Sequence, residues 1–278
     1  MKRIYFYFLL TGLALISFEA FSQKDVQFVN KGLKAAQNGN IDKALVFFDK
    51  SLALNPDNID ANFYKGQILE QNKAYPEAIG FYSKAIKLLD SKEQFYIRRG
   101  YCYYKIDSLN QSLKDLNFVL DRTPKNIEAL KKRVDVYRKM ENWEKLLADF
   151  DTYLEMNPQD YYAKLNRANV LNELGRYNEN YEVLVVLAKE YPNEHIIQNN
   201  YAESLKNLEL FEDALKQIDS TIKLKPDYDN AYITKAEILL KLERFEEACE
   251  NKSRAIELGF DINKLDSDVL KEFEKNCK

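Results

Sequence analysis

The chain has a single histidine, His195, so imidazole-based metal cages and acid–base triads have almost nothing to be built from. It holds three cysteines, with no CxxC pair and no cluster at zinc-ligand spacing. Glycine and proline are scarce, at 8 and 6 of 278 residues, too few for the turns of an all-β fold. No P-loop, GxGxxG or HExxH motif occurs, and the acid-rich run "ERFEEACE", Glu243 to Glu250, reads as the solvated face of a helix. His195 reads as a surface loop residue. No catalytic residue, metal ligand or cofactor site is assigned, and a non-enzymatic protein is expected. A net charge of −3 argues against a general binder of nucleic acid or anionic membrane.

What is present begins with a leader pattern. "MKR" is basic, Ile4 to Phe18 is apolar, and "AFSQ" sets small residues at Ala20 and Ser22. This is the layout of a secretory signal peptide over residues 1–22, with Gln23 as the new N-terminus. The apolar run is shorter than the ~20 residues of a spanning helix, so cleavage is expected rather than anchoring. The protein is therefore expected to be exported, periplasmic or secreted, with no integral span after cleavage.

A repeat organises the rest. Proline closes successive segments at Pro56, Pro124, Pro158, Pro192 and Pro226, with Asp90 in the vacant place between the first two. The intervals are 34 residues or twice that, and seven units start at residues 25, 59, 93, 127, 161, 195 and 229. The eighth position is small in six units: Gly32, Gly66, Gly100, Ala168, Ala202 and Ala236, against Val134 in the fourth. The seventeenth is bulky, from Ile41 and Tyr75 to Phe211 and Phe245. The twentieth is small at Ala44, Ala78, Ser112, Ala214 and Ala248, but is Leu146 and Asn180 in units four and five, where looser helix spacing is expected. Each unit reads as two helices joined by a turn, such as "NGN" at Asn38 to Asn40.

This pattern resembles the tetratricopeptide (TPR) repeat, most closely over Ala61 to Ile86, "ANFYKGQILEQNKAYPEAIGFYSKAI". The resemblance covers residues 25–262 and implies an all-α, right-handed α-solenoid of about seven helix–turn–helix units. Residues 263–278 supply a C-terminal capping helix, read over 266–277, with Leu270, Phe273 and Cys277 on one face. Cys249 and Cys277 are a candidate disulfide tying that cap down, and Cys102 reads as a buried packing residue.

At 100° per residue, positions 4, 7, 8 and 11 of each first helix form its packing side, and positions 2, 5, 6, 9, 12 and 13 the opposite, free arc. In a stacked array that arc lines the concave surface commonly used for binding. The candidate partner-binding residues on it are Phe63, Arg98, Tyr101, Tyr104, Lys131, Arg138, Tyr162, Asn166, Asn169, Asn172 and Asn200. The aromatics offer rigid contact area, the amides can hydrogen-bond a peptide backbone, and the cations favour an acidic segment. Asn30, Asn166 and Asn200 share position 6, which is similar to the asparagine ladders of some peptide-binding TPR arrays. Tyr64, Arg98 and Lys132 interrupt the series. The expected function is a non-catalytic protein–protein interaction module or scaffold of the cell envelope, with a protein or peptide partner and no nucleic acid. The alternatives are a structural subunit of an envelope assembly and a polysaccharide-binding module using the exposed tyrosines.

Overall fold

A computed structural model describes residues 23–277. The expected leader, residues 1–22, lies outside the described residues. All regular structure among the described residues is helical. The chain forms two compact bodies, one ending at Glu141 and the other starting at Asn142. Each is an all-α, right-handed stack of helix–turn–helix units.

The N-terminal body holds α1 (23–37), α2 (Ile41–Leu54), α3 (Ile59–Gln71), α4 (Tyr75–Leu88), α5 (Glu93–Lys105), α6 (Leu109–Arg122) and α7 (Ile127–Lys139). The C-terminal body holds α8 (Trp143–Met156), α9 (Tyr161–Glu173), α10 (Tyr177–Glu190), α11 (His195–Asn207), α12 (Phe211–Leu224), α13 (Asp229–Lys241), α14 (Phe245–Glu257) and α15 (Ser267–Asn276). From α3 to α13, every first helix begins at the first position of its unit, and every second helix begins on the bulky seventeenth residue.

The pairing of the two helices is set by size complementarity. A Cβ added to Gly32 would lie 2.6 Å from the Phe48 ring, and one on Gly66 would lie 2.9 Å from Tyr82. Phe48 and Tyr82 occupy position 24 of their units and are fully enclosed. Position 24 is aliphatic at Leu116, Leu184 and Ile218, where position 8 is Gly100, Ala168 and Ala202. In the first two repeats the large ring thus leaves room only for glycine opposite it, and in the fifth and sixth the smaller branched chain admits a methyl. Repeat four alone sets a large residue at both position 8, Val134, and position 20, Leu146. The boundary between the two bodies falls inside that repeat. Leu146 is fully buried in the C-terminal body. Asn180, the other large residue at position 20, is accommodated by a buried hydrogen bond from its amide to the Ala168 carbonyl, 2.6 Å.

The turn between the two helices of a unit recurs with the same backbone. Position 15 has positive φ in all seven repeats: Gly39, Lys73, Asp107, Glu141, Gly175, Glu209 and Glu243. Five of these carry a side chain in a conformation that glycine adopts without cost. Successive repeats are further tied by polar bridges spanning sixteen residues, from position 7 of a first helix to the preceding second helix. Lys65 pairs with Asp49, Arg167 with Asp151 at 2.5 Å, and Lys235 with Asp219 at 2.7 Å. Arg133 donates to the Asn117 side-chain oxygen at 2.7 Å, and Arg99 to Ser83 at 3.0 Å. Position 7 is therefore not simply apolar packing: its aliphatic stem packs while its charge reaches the neighbouring repeat.

At the C-terminal end, α15 lies against α13 and α14, with Phe273 2% exposed in their shared core and Leu270 half-buried. Cys249 on α14 and Cys277, just past α15, form a disulfide with Cα atoms 5.5 Å apart. Cys102 is buried, and burial pushes its thiol up to about 12, which leaves it un-ionised and inert at neutral pH.

Two changes test this packing. Gly66→Ala removes a poor helix former yet is expected to destabilise the protein by about 1–3 kcal/mol, because the Tyr82 ring has no room to yield. Lys73→Gly is expected to do the reverse, gaining up to about 1 kcal/mol by relieving the left-handed turn. Chemical denaturation followed by circular dichroism measures both.

Candidate functional site

The free arc expected from a single-helix wheel is too wide. Position 5 is buried at Ile97, Leu165, Asn199 and Ile233, each 8% exposed or less. A first helix packs on its own second helix and also touches first helices of adjacent repeats, as α5 does with α3 and α7. Phe63 stands at the same position. Its half-buried ring lies 4.8 Å from Phe95 and 5.9 Å from Tyr82, between two repeats rather than free for a partner. Arg98 is engaged within the fold. Its guanidinium donates to Glu70 at 3.0 Å, and the other Glu70 oxygen accepts from the buried Tyr82 hydroxyl at 2.6 Å. Burial, together with Glu70, holds the Tyr82 hydroxyl far above its ordinary pKa. Arg98 is thus tied into an inter-repeat network through Glu70, with its side chain 30% exposed.

What remains open in the N-terminal body is a cationic–aromatic face on α5 and α7. Tyr101 and Tyr104 are half-buried on α5. The Lys132 ammonium stands 4.2 Å from the centre of the Tyr101 ring, and Lys105 stands 5.2 Å from it. Lys139 lies 5.6 Å from the Tyr104 ring and also pairs with Asp107 at 2.8 Å. Tyr75 meets Tyr101 edge-on at 6.4 Å, fixing that ring in place. Lys131 and Arg138 are exposed on α7, and Arg138 lies 3.8 Å from Asp135.

In the C-terminal body, Asn169, Asn172 and Asn200 come together as walls of a pocket of about 260 Å3 between α9, α10 and α11. Glu173, Asn180, Glu203 and Ser204 complete its polar lining. The Asn200 amide donates to the Asn169 oxygen at 2.9 Å, and Asn207 to the Asn172 oxygen at 2.6 Å. Burial, with Glu237 and Glu173 adding to it against Lys206, raises the Glu203 carboxyl above the usual range. Two other candidates stand apart from this pocket. Asn166 is exposed and turns its amide back onto the Tyr162 carbonyl of its own helix, 2.8 Å. Tyr162, 63% exposed, meets the Tyr161 ring at a tilt, 4.0 Å between centres, near the start of α9. His195 packs edge-on against Tyr228 at 4.8 Å.

Lys105, Lys139 and Glu173 were missed among the candidates, although all three share position 13 of their repeats. The signal available was a charge at that position on four of the first helices, Lys241 being the fourth. Among the described residues no cluster of His, Cys, Asp and Glu could hold a metal ion, and no helix is long and apolar enough to cross a membrane.

Residues 29–92 and 131–195 match the family model of the tetratricopeptide repeat. Those two segments are thus similar to tetratricopeptide repeats. A TPR protein from Parabacteroides merdae has a similar fold, with a TM-score of 0.57 at 22% identity over 91% of this chain and 98% of that one. YrrB, described as a TPR protein with an unusual peptide-binding site, superposes with a TM-score of 0.56 at 21% identity, covering 66% of this chain and 95% of its own. In sequence, anaphase-promoting complex subunit 3 of Dictyostelium discoideum is 28% identical over 105 residues, 37% of this chain and 11% of that protein. The chain thus spans a small part of that curated relative. TPR folds generally serve as non-catalytic scaffolds for protein contacts.

The Glu70 network is open to a direct test. Glu70→Ala leaves the enclosed Tyr82 hydroxyl without an acceptor and is expected to cost about 1–3 kcal/mol in denaturant unfolding. Glu70→Gln, which keeps an acceptor, is expected to cost less.

Proposed function

We propose that the protein is an exported, non-catalytic interaction module of the cell envelope that captures an extended peptide segment or partner protein on its first-helix faces. The observation that carries this reading is the face of α5 and α7 in the N-terminal body, where the Tyr101 and Tyr104 rings stand half-exposed among Lys105, Lys132 and Lys139. Rigid rings provide contact area at low entropic cost, and the flanking ammonium groups select a segment carrying carboxylates. The peptide-binding site named for YrrB, a similar fold, supports a peptide as the ligand class. Export is supported by the leader pattern of residues 1–22, and the Cys249–Cys277 disulfide suits an oxidising compartment.

Affinity capture from envelope extract tests the reading. Tyr101→Ala combined with Lys132→Ala is expected to reduce recovery of the principal partner by about tenfold or more, the loss of roughly 1.4 kcal/mol. Lys87→Ala, on the exposed side of the second helix α4, is expected to leave it unchanged. Equal capture by all three proteins contradicts the reading. Cross-links confined to second helices or α15 would instead favour a structural subunit held through its other surfaces.

A further inference from the structure

The pocket of the C-terminal body holds two carboxylates that, among the described residues, have no ion-pair partner within contact distance. Glu203 on α11 and Glu173 at the end of α9 both line it. Among the described residues neither carboxylate accepts a hydrogen bond or pairs with a cation. Lys206, three residues beyond Glu203, directs its ammonium instead to Glu237 on α13. Glu203 is half-buried, and burial with the charges of Glu237 and Glu173 opposes its ionisation, only partly offset by Lys206. A sunken carboxylate of this kind is costly unless something positive reaches it.

The amides around it are oriented to accept. Asn200 uses its amide nitrogen on Asn169, and Asn180 uses its own on the Ala168 carbonyl, so both keep a side-chain oxygen without a protein partner. The cavity thus combines two carboxylates with two unpartnered amide oxygens in about 260 Å3.

We propose that this pocket binds the guanidinium group of an arginine side chain presented by the peptide or protein partner. Guanidinium carries five donors in a planar fork, no acceptor and a permanent positive charge, which matches several acceptors around one cavity. An anion is repelled by Glu173 and Glu203, and a neutral group leaves Glu203 uncompensated. A lysine ammonium supplies the charge but only three donors from a single point. A divalent ion finds no cluster of three ligating side chains among the described residues. The proposal rests on the reading of the first-helix faces as the binding surface, and deepens it by naming the chemistry that this pocket selects.

An NMR titration of the 15N-labelled protein with Nα-acetyl-arginine N-methylamide tests it. The side-chain amide signals of Asn169, Asn172 and Asn200 are expected to shift saturably. The citrulline counterpart, similar in shape but uncharged, is expected to bind about tenfold more weakly or less, the scale of a charge-assisted hydrogen bond. Glu203→Gln is expected to weaken arginine binding by a similar factor while leaving the circular dichroism spectrum intact. Equal binding of citrulline, an unaffected Glu203→Gln protein, or shifts caused by Ca2+ with arginine silent would each overturn the proposal. Panning a displayed peptide library on the wild-type protein separates the two readings. Enrichment of arginine supports the pocket assignment; peptides selected without it overturn that assignment alone. Selection of no peptide overturns the interaction-module reading.

Discussion

The close approach of the two helices within a repeat, set by what stands opposite position 24, is the constraint from which the rest of the structure follows. Phe48 over Gly32 and Tyr82 over Gly66 leave no space for a single extra carbon. Leu184 and Ile218 leave room for the methyl groups of Ala168 and Ala202. Because packing at this seam is dense, the orientation of every first helix is determined, and so is the identity of the residues left facing outward. The sixteen-residue polar bridges, Lys65 to Asp49 and Arg167 to Asp151 among them, then hold consecutive repeats in register. These are half-exposed pairs, each worth about 1 kcal/mol or less, so they select the arrangement rather than supply its stability.

Much of this was legible in the amino-acid order. The prolines and the small residues at positions 8 and 20 give the 34-residue register, and the helices begin at the residues it marks, from Ile59 to Asp229. The candidate surface was legible only in part, for a geometric reason. A wheel drawn for one helix knows one neighbour, whereas a first helix within a stack has several. That is why Phe63 and Ile97 fall inside the fold although the wheel sets them outside. Arg98 was opaque for a different reason. Its partner, Glu70, lies 28 residues earlier, and no pattern within either helix reveals that their side chains meet. Asn166 likewise sits on the expected arc, but its amide bonds to its own backbone, a choice among rotamers that sequence does not encode.

With these residues engaged within the chain, what is left stands out more sharply. In the N-terminal body the open chemistry is aromatic and cationic, carried by Tyr101, Tyr104 and three lysines. In the C-terminal body it is amide and anionic, carried by Asn169, Asn200, Glu173 and Glu203. Both sets lie on first helices, so one repeat scaffold displays two chemically opposite surfaces. The scaffold residues and the surface residues occupy separate positions of the repeat: 8, 20 and 24 pack, while 9 and 13 vary in charge from repeat to repeat. Recognition can therefore be altered at the second set without disturbing the first, which is how a uniform fold acquires a particular specificity.

The central claim is that partners are engaged through the first helices. Hydrogen–deuterium exchange of the protein with its captured partner, compared with the protein alone, measures this most directly. Protection gained in α5 and α7, or in α9 and α11, with second helices unchanged, is the result the account requires. Protection confined to α4, α6, α10 and α12, or to α15, would contradict it.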